Sequence, residues 1–287
     1  MKLILGPGFH SIDKAEYLAD PCEAPSLSSS IAGLLISRSP AHAFAAHPRL
    51  GGHRSDPTAA MVNGTIIDSL LLGGDTELVE SPHEEYRTKE AKEWKSAVLA
   101  SGKQPVKEKE LRYAKQAAEA IRENLYTAGL SLDGEHQLTA IWDVGDVRCR
   151  ARLDHWKESE ATIVDLKTAD NASPSVLGRK MVDFGYAIQH AAYISAIETL
   201  RPELAGRVKF IFAFAETEPP YAVTIAHPAG TLRALGKWQW EKAVRIWGEC
   251  LKSKRFPAYG SAEIEAPPWA MAEMEESFTG GSIGTPF

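Results

Sequence analysis

Three residues, Asp154, Asp165 and Lys167, have the types and the spacing needed to hold a metal ion and activate water. Asp154 ends one strand-like run and Asp165 lies in the next, so a short turn separates two carboxylates on adjacent predicted strands. Because side chains of a strand alternate between its faces, Asp165 and Lys167 project from the same face. With the backbone carbonyl of Leu166, the two carboxylates would supply half of the octahedral oxygen shell of Mg²⁺, with Mn²⁺ as an alternative ion. Lys167 could then orient or deprotonate the attacking water.

The same residues also have a purely structural interpretation. An Asp-x-Lys pair is common in proteins and by itself predicts only a salt bridge between neighbouring strands. The upstream Asp154, which ends the preceding strand across a short turn, favours the chemical interpretation.

Basic residues near this pattern could contact an anionic polymer. In residues 147–154, strand alternation places the apolar side chains on a core face and three arginines, together with Asp154, on the other face. Three like charges at two-residue spacing repel one another unless an anion lies beside them. Two further basic residues are predicted in a loop before the next helix, and two serines at a helix N-terminus could bind a terminal phosphate or simply cap the helix. The predicted DNA-binding residues are Arg148, Arg150, Arg152, Arg179, Lys180, Ser28 and Ser30.

The order of predicted elements indicates an α/β (α+β) fold, with a small mixed central sheet flanked by helices. Amphipathic patterns predict an N-terminal helical part, about residues 1–130, before the strands begin. The strands and two further helices form a catalytic core of about residues 131–256. We expect a single domain over residues 1–274 and a disordered tail over residues 275–287.

Composition narrows the class of protein. The formal net charge of −6 argues against a general DNA coat but not against a nuclease, whose carboxylates are offset by bound metal. The three cysteines form no CxxC pair, so a zinc ribbon is not expected. There is no glycine-rich phosphate loop and no apolar run long enough to span a membrane, so we expect a cytoplasmic protein without a membrane partner.

The residues around the proposed centre resemble a known family. Asp154, followed by Asp165 and Lys167, is similar to the motif of the PD-(D/E)XK nuclease superfamily. Gln189 and Tyr193 match the QxxxY motif of its exonuclease branch, which includes the RecB nuclease domain and lambda exonuclease. The chain is most similar to the RecE-type (exonuclease VIII) nucleases, and weaker matches follow in the family's order at residues 27–30, 39–42, 64–72, 87–94 and 267–270.

The resemblance implies roles for further residues. Gln189 and Tyr193 would line the active site on one face of a helix over residues 184–200. Asp68 stands where the family usually has a histidine near the metals, so it could ligate a second Mg²⁺ or have lost its role. Glu135 lies where related nucleases often have an additional acidic residue that ligates metal directly or through water.

The resemblance further implies an exonuclease that degrades linear double-stranded DNA from its ends, 5′ to 3′, in phage or prophage recombination. A ring-shaped homo-oligomer and a single-strand annealing recombinase as partner are expected on the same ground. Two alternatives stay open: an endonuclease of repair or restriction type, and a DNA-binding or assembly module with a vestigial site. Asp68 in place of histidine supports the last of these.

Overall fold

The computed structural model describes residues 4–53, 56–73 and 76–279. The chain divides into two compact units, Met1–Pro257 and Ala258–Phe287. Among the described residues, no helix combines the length and the apolar character needed to traverse a bilayer.

The described part of the first unit is built around a six-stranded sheet. A separate pair of short parallel strands lies outside it. In chain order the strands are β1 (Gly8–His10), β2 (Leu78–Glu80), β3 (Gln104–Val106), β4 (Glu135–Val144), β5 (Val147–Lys157), β6 (Thr162–Ala169), β7 (Lys209–Glu216) and β8 (Val223–Ala226).

The six strands follow the spatial order β1-β4-β5-β6-β7-β8. Only β6 and β7 pair in parallel, and the other neighbours are antiparallel. The predicted mixed sheet flanked by helices is therefore confirmed.

Helices pack on both faces of this sheet. In chain order those of the first unit are α1 (Lys14–Leu18), α2 (Ser29–Ser37), α3 (Pro40–Ala46), α4 (Ala59–Leu72), α5 (Lys89–Ala100), α6 (Glu108–Thr127), α7 (Pro174–Asp183), α8 (Tyr186–Leu200) and α9 (Gly230–Ser253).

Two hydrophobic cores correspond to the two faces of the sheet. One core joins α2, α8 and α9 to the alternate residues Phe210, Phe212 and Phe214 of β7. The other joins α4 and α6 to the residues in between, among them Ala213 and Ala215. The interior strand β7 is thus apolar on both faces because helices cover both.

Local sequence signals set the ends of several elements. Thr58 caps α4 by accepting a hydrogen bond from the N–H of Met61 at 3.3 Å, and Gly73 ends that helix with a positive φ of 62°. Gly145 takes the positive φ of 59° that the tight turn between β4 and β5 requires. The sequence predicts the same two features: an apolar run over residues 58–72 that ends at Gly73 indicates a helix, and two strand-like runs joined by Val144-Gly145-Asp146 indicate a hairpin.

One expectation about a loop was wrong, and another was right only in part. The segment before α8, predicted as a loop, is the helix α7, which begins at Pro174 and buries Leu177 and Met181 one turn apart. Gly185, with φ of 73°, separates α7 from α8, so the second helix begins at Tyr186 and not at residue 184. The composition of the stretch 47–54 predicts an exposed basic loop; residues 47–53 do form a loop, exposed over 51–53, but it begins with a fully buried His47. Arg54 lies outside the described residues.

The second unit contains one described helix, α10 (Pro268–Thr279). Residues 275–279, predicted to belong to a disordered tail, are the end of this helix. Residues 280–287 of that tail lie outside the described residues.

Candidate active site

The proposed catalytic residues lie where β5 and β6 separate. The two strands pair only from Lys157 with Thr162 to His155 with Val164. Asp154 and Asp165 are the next residues on each strand, just beyond the last pair. Two carboxylates therefore face a gap in the sheet, and polar groups that a ladder would otherwise occupy become available to a ligand.

Strand β5 also changes the direction of its side chains at this point. Leu153 and Trp156 belong to the same hydrophobic core although they are three positions apart, so the two-residue alternation breaks between them. Up to Leu153 the alternation predicted for residues 147–154 holds, because the apolar side chains of that run all lie in this core: Val147, Cys149, Ala151 and Leu153.

Asp154 is held by the backbone of the neighbouring strand. Its Oδ2 accepts a hydrogen bond of 3.0 Å from the N–H of Leu166. Because the N–H and C=O of one strand residue point to the same side, the Leu166 carbonyl is also directed toward Asp154. This is the carbonyl that the sequence predicts as a metal ligand.

Asp165 is buried, with 1% of its side chain exposed, and both of its oxygens have partners. Oδ1 accepts a 2.6 Å hydrogen bond from Nε2 of Gln189 on α8, and Oδ2 contacts the Lys167 ammonium. Burial raises the pKa of this carboxyl; Lys167 opposes the rise and Asp154 adds to it.

Lys167 lies on the same face as Asp165, as two-residue spacing predicts. Its Nζ also stands 5.2 Å from the centre of the Tyr186 ring, in cation–π geometry. Burial works against the charge of Lys167, but the carboxylates of Asp165 and Asp154 outweigh it and raise its pKa. The lysine is thus kept as an ammonium, which donates hydrogen bonds and stabilises negative charge.

Asp68 approaches the same charges from α4, on the opposite side of the sheet. Burial raises the pKa of its carboxyl, and Asp154 and Asp165 raise it further against Lys167. Glu135, by contrast, is exposed at the first residue of β4, opposite Trp156. The structure therefore brings Asp68, rather than Glu135, into electrostatic contact with the pair.

The donor set fits a hard divalent cation in kind and in charge. Burial and the neighbouring carboxylates raise the pKa of Asp68 and of Asp165, and a bound cation would favour the ionised form of both. Within residues 4–53, 56–73 and 76–279, no three His, Cys, Asp or Glu side chains are arranged to enclose a metal ion. Lys167 and Gln189 occupy the Asp165 oxygens instead, so binding an ion there requires these side chains to shift.

Gln189 and Tyr193 share one face of α8 but have different surroundings. Gln189 touches Asp165 directly. Tyr193 is buried, and its hydroxyl donates a 2.8 Å hydrogen bond to the carbonyl of Arg152, two residues before Asp154. Tyr193 therefore fixes the backbone that leads into Asp154 rather than lining an accessible surface.

The three arginines of β5 serve the protein's own structure, which corrects their assignment to DNA. Arg150 is 4% exposed and donates to the carbonyl of Ser26, and Arg152 is buried and donates to the carbonyl of Ile12. Arg148 forms an ion pair with Asp143. The anion that compensates Arg150 is a buried carboxylate, Asp20, at 3.4 Å.

Asp20 is the centre of a buried polar cluster. It accepts hydrogen bonds from the N–H and hydroxyl of Ser26, at 3.0 and 2.8 Å, and lies 3.3 Å from Nε2 of His47. Arg49 completes the cluster at 3.9 Å. Burial alone would raise the pKa of Asp20, but these donors and Arg150 hold it well below its usual range.

The other predicted DNA contacts are placed differently. Arg179 is exposed on α7 and pairs with Asp183, and Lys180 contacts Asp170 and the carbonyl of Asn171. Ser28 is buried and caps α2, accepting from the N–H of Ile31, so it is not a phosphate site. Ser30 is exposed at the first turn of α2.

Two cavities meet at Lys167. One, of about 590 Å³, runs between α2 and α8 and is lined by Ser29, Ser30, Gln189 and Gln239 among others. The other, of about 750 Å³, runs along α4 and is lined by Asp68 among others. Sequence reasoning missed Tyr186, which lines both. Its position one helical turn before Gln189 was the available signal.

The mixed sheet, the paired aspartates at its gap and the adjacent lysine define a protein of the PD-(D/E)XK class. Residues 28–266 match the family model described as a PDDEXK-like domain of unknown function, DUF3799. The chain belongs to this family. No curated protein matches the sequence.

One solved structure with the same fold has low sequence identity to this chain. A proposed exonuclease from Eubacterium rectale is 13% identical, with a TM-score of 0.59 over 95% of this chain and 100% of that chain. A phage-related exonuclease from Haemophilus somnus 129PT is 12% identical, with a TM-score of 0.35 over 80% of this chain and 96% of that chain.

Proposed function

We propose that this protein is a magnesium-dependent exodeoxyribonuclease that degrades linear double-stranded DNA. The observation that carries the proposal is the meeting of Asp154, Asp165 and Lys167 at the gap between β5 and β6, where Lys167 lines two cavities. Membership of a PDDEXK-like family supports it.

Each residue has a part in phosphodiester hydrolysis. Asp154, Asp165 and the Leu166 carbonyl would hold Mg²⁺, with Mn²⁺ as an alternative and Asp68 as a further ligand. The bound ion supplies polarisation of a phosphate oxygen and lowers the pKa of a coordinated water. Lys167 orients the attacking water and stabilises charge on the phosphate. Gln189 fixes the rotamer of Asp165, and Tyr193 fixes the backbone before Asp154.

The finer parts of the proposal rest on the resemblance to RecE-type nucleases. These are 5′-to-3′ polarity, a role in phage or prophage recombination by single-strand annealing, a recombinase partner and a ring-shaped homo-oligomer. Strand-specific end labels test the polarity, and sedimentation of the purified protein tests the oligomer.

The activity is tested on linear duplex DNA with 5′ phosphates, in Mg²⁺, Mn²⁺ or EDTA, beside closed circular DNA. Wild-type protein is expected to degrade only the linear DNA, and only with metal. Lys167→Ala is expected to lose this activity, while Lys89→Ala, which removes a lysine 91% exposed on α5, is expected to keep it.

Other outcomes point to the alternatives. Cleavage of the closed circle, which has no end, would indicate an endonuclease instead. DNA binding without cleavage by the wild-type protein in either metal would indicate a binding module with a vestigial site.

A further inference from the structure

Phe184 is an exposed aromatic residue at the junction of the two cavities that meet at Lys167. Its side chain lines both cavities, yet 66% of the residue is exposed to solvent. Burying a phenylalanine ring normally stabilises a protein by about 2 kcal/mol, so an exposed ring beside a polar site contributes little to folding. We therefore expect a role of Phe184 in binding rather than in the hydrophobic core.

Other aromatic side chains pack against one side of the Phe184 ring. Phe184 lies 5.9 Å from Tyr186, with the two ring planes 33° apart. Tyr186 in turn packs at 5.8 Å against both Phe212 and Phe214 of β7, the strand beside β6. Gly185, at a φ of 73°, makes the tight turn that brings the two rings to one side.

The positively charged side chains near these rings are suited to binding the phosphate of a nucleotide. Lys167 stands over Tyr186 and lines the same two cavities, so a phosphate at the lysine places its base near the aromatic pair. Lys180 lines the second cavity beside Phe184. A planar, uncharged ring with an aromatic platform on one side and cations at its phosphate is the chemistry of a nucleobase.

We propose that Phe184 and Tyr186 form a stacking site for an unpaired nucleobase adjacent to the phosphate that is cleaved. The proposal rests on the proposed nuclease function and deepens it: the strand enters this site with its terminal base separated from the complement. Stacking on an aromatic face is tolerant of sequence, because every base has a π-face. The site therefore selects unpaired strand ends rather than a base sequence.

The test uses the full chain in EDTA, which prevents metal-dependent cleavage, and a single-stranded oligonucleotide with 2-aminopurine at successive positions from the 5′ end. Stacking quenches the fluorescence of 2-aminopurine. Wild-type protein is expected to quench it at one position near the end. Phe184→Ala is expected to remove the quenching and to weaken binding by about 5-fold to 150-fold, as for the loss of one stacked base.

Two variants separate stacking from a structural effect. Phe184→Trp keeps an aromatic face and is expected to restore quenching and affinity. Tyr126→Ala removes an aromatic residue that is 84% exposed on α6, and is expected to behave as wild type. Thermal unfolding of Phe184→Ala should match wild type, since the ring is exposed.

Quenching and affinity that survive in Phe184→Ala would overturn the proposal, as would a wild-type protein that quenches at no position. The nuclease function is judged separately, by metal-dependent degradation of linear duplex. Degradation of linear duplex without quenching would contradict only the proposed stacking site. Quenching without degradation would contradict only the proposed nuclease activity.

Discussion

The N–H of Leu166 donates a 3.0 Å hydrogen bond to Oδ2 of Asp154, across the gap where β5 and β6 no longer pair. A side chain thus takes the place of a backbone acceptor for Leu166, two residues beyond the last paired residue of β6, Val164. The bond therefore holds the Asp154 side chain against β6, the strand that carries the other two catalytic candidates, Asp165 and Lys167. Substitutions of Asp154 can therefore separate the effect of its hydrogen bond on stability from the effect of its negative charge on activity.

Asp154→Asn keeps an oxygen for Leu166 but removes the charge that would hold a metal ion. Since the Asp154 carboxylate also repels Asp68 and Asp165, the free energy of unfolding of the Asp154→Asn protein should be no lower than that of wild type. DNA cleavage should fall on the order of 100-fold or more. Asp154→Ala should lose activity equally and, without the hydrogen bond, about 1 kcal/mol of stability in urea titrations. Activity retained by the Asn variant would remove Asp154 from the site.

Gln189→Ala removes the 2.6 Å hydrogen bond that orients Asp165. Groups that orient a ligand typically contribute about 10-fold to 100-fold in metal affinity or activity. We expect the Mg²⁺ concentration for half-maximal cleavage to rise by about that factor. Thr199→Ala, at an exposed position of the same helix, should leave the Mg²⁺ titration unchanged. A Gln189→Ala titration that overlays wild type would contradict the positioning role.

Tyr193→Phe leaves the buried carbonyl of Arg152 without its donor but keeps the ring packed. An unsatisfied buried acceptor costs about 1–3 kcal/mol, so the urea midpoint should fall accordingly. Tyr126→Phe, which removes a hydroxyl from an exposed tyrosine, should not change it. A loss of activity without any loss of stability would instead indicate direct contact between Tyr193 and substrate.

Asp20 makes stability depend on pH. Its pKa is lowered in the folded protein, so below the ordinary aspartate value of about 3.9 the unfolded chain binds the extra proton first. Its contribution to stability is complete above about pH 5 and is lost as the pH falls from there toward the folded pKa. Asp20→Asn should lower stability at pH 7 by about 3 kcal/mol and flatten the decline between pH 5 and 3. Parallel curves for the two proteins would show that Asp20 does not set this dependence.

Arg179 and Arg148 are expected to differ in DNA binding. Arg179, with its side chain 88% exposed on α7 close to the cavities, can reach a phosphate, whereas Arg148 is 19% exposed and bonded to Asp143. Arg179→Ala should weaken binding and reduce the slope of log affinity against log salt by about 1. Arg148→Ala should leave the slope unchanged. The opposite result would restore the arginines of β5 as DNA contacts.

Local patterns predicted most of the elements. The helix over 58–72 follows from its apolar run and the C-terminal Gly73, and the hairpin of β4 and β5 from the Gly-Asp turn, because both signals depend on nearby residues only. The segment of α7 escaped prediction, because its apolar face is only two residues, Leu177 and Met181. The roles of Asp154, Asp165 and Lys167 stay predictions.

The sequence by itself determined that Asp165 and Lys167 share a face, because alternation along a strand is a local property of the backbone. Only the tertiary structure decided that β5 and β6 separate after His155 and Val164, that Asp68 on a distant helix joins the same electrostatic group, and that Arg150 turns inward to Asp20. These outcomes depend on which segments pack against each strand. The spacing of residues along the chain does not predict that Arg150 pairs with Asp20, because the two residues come together only after folding.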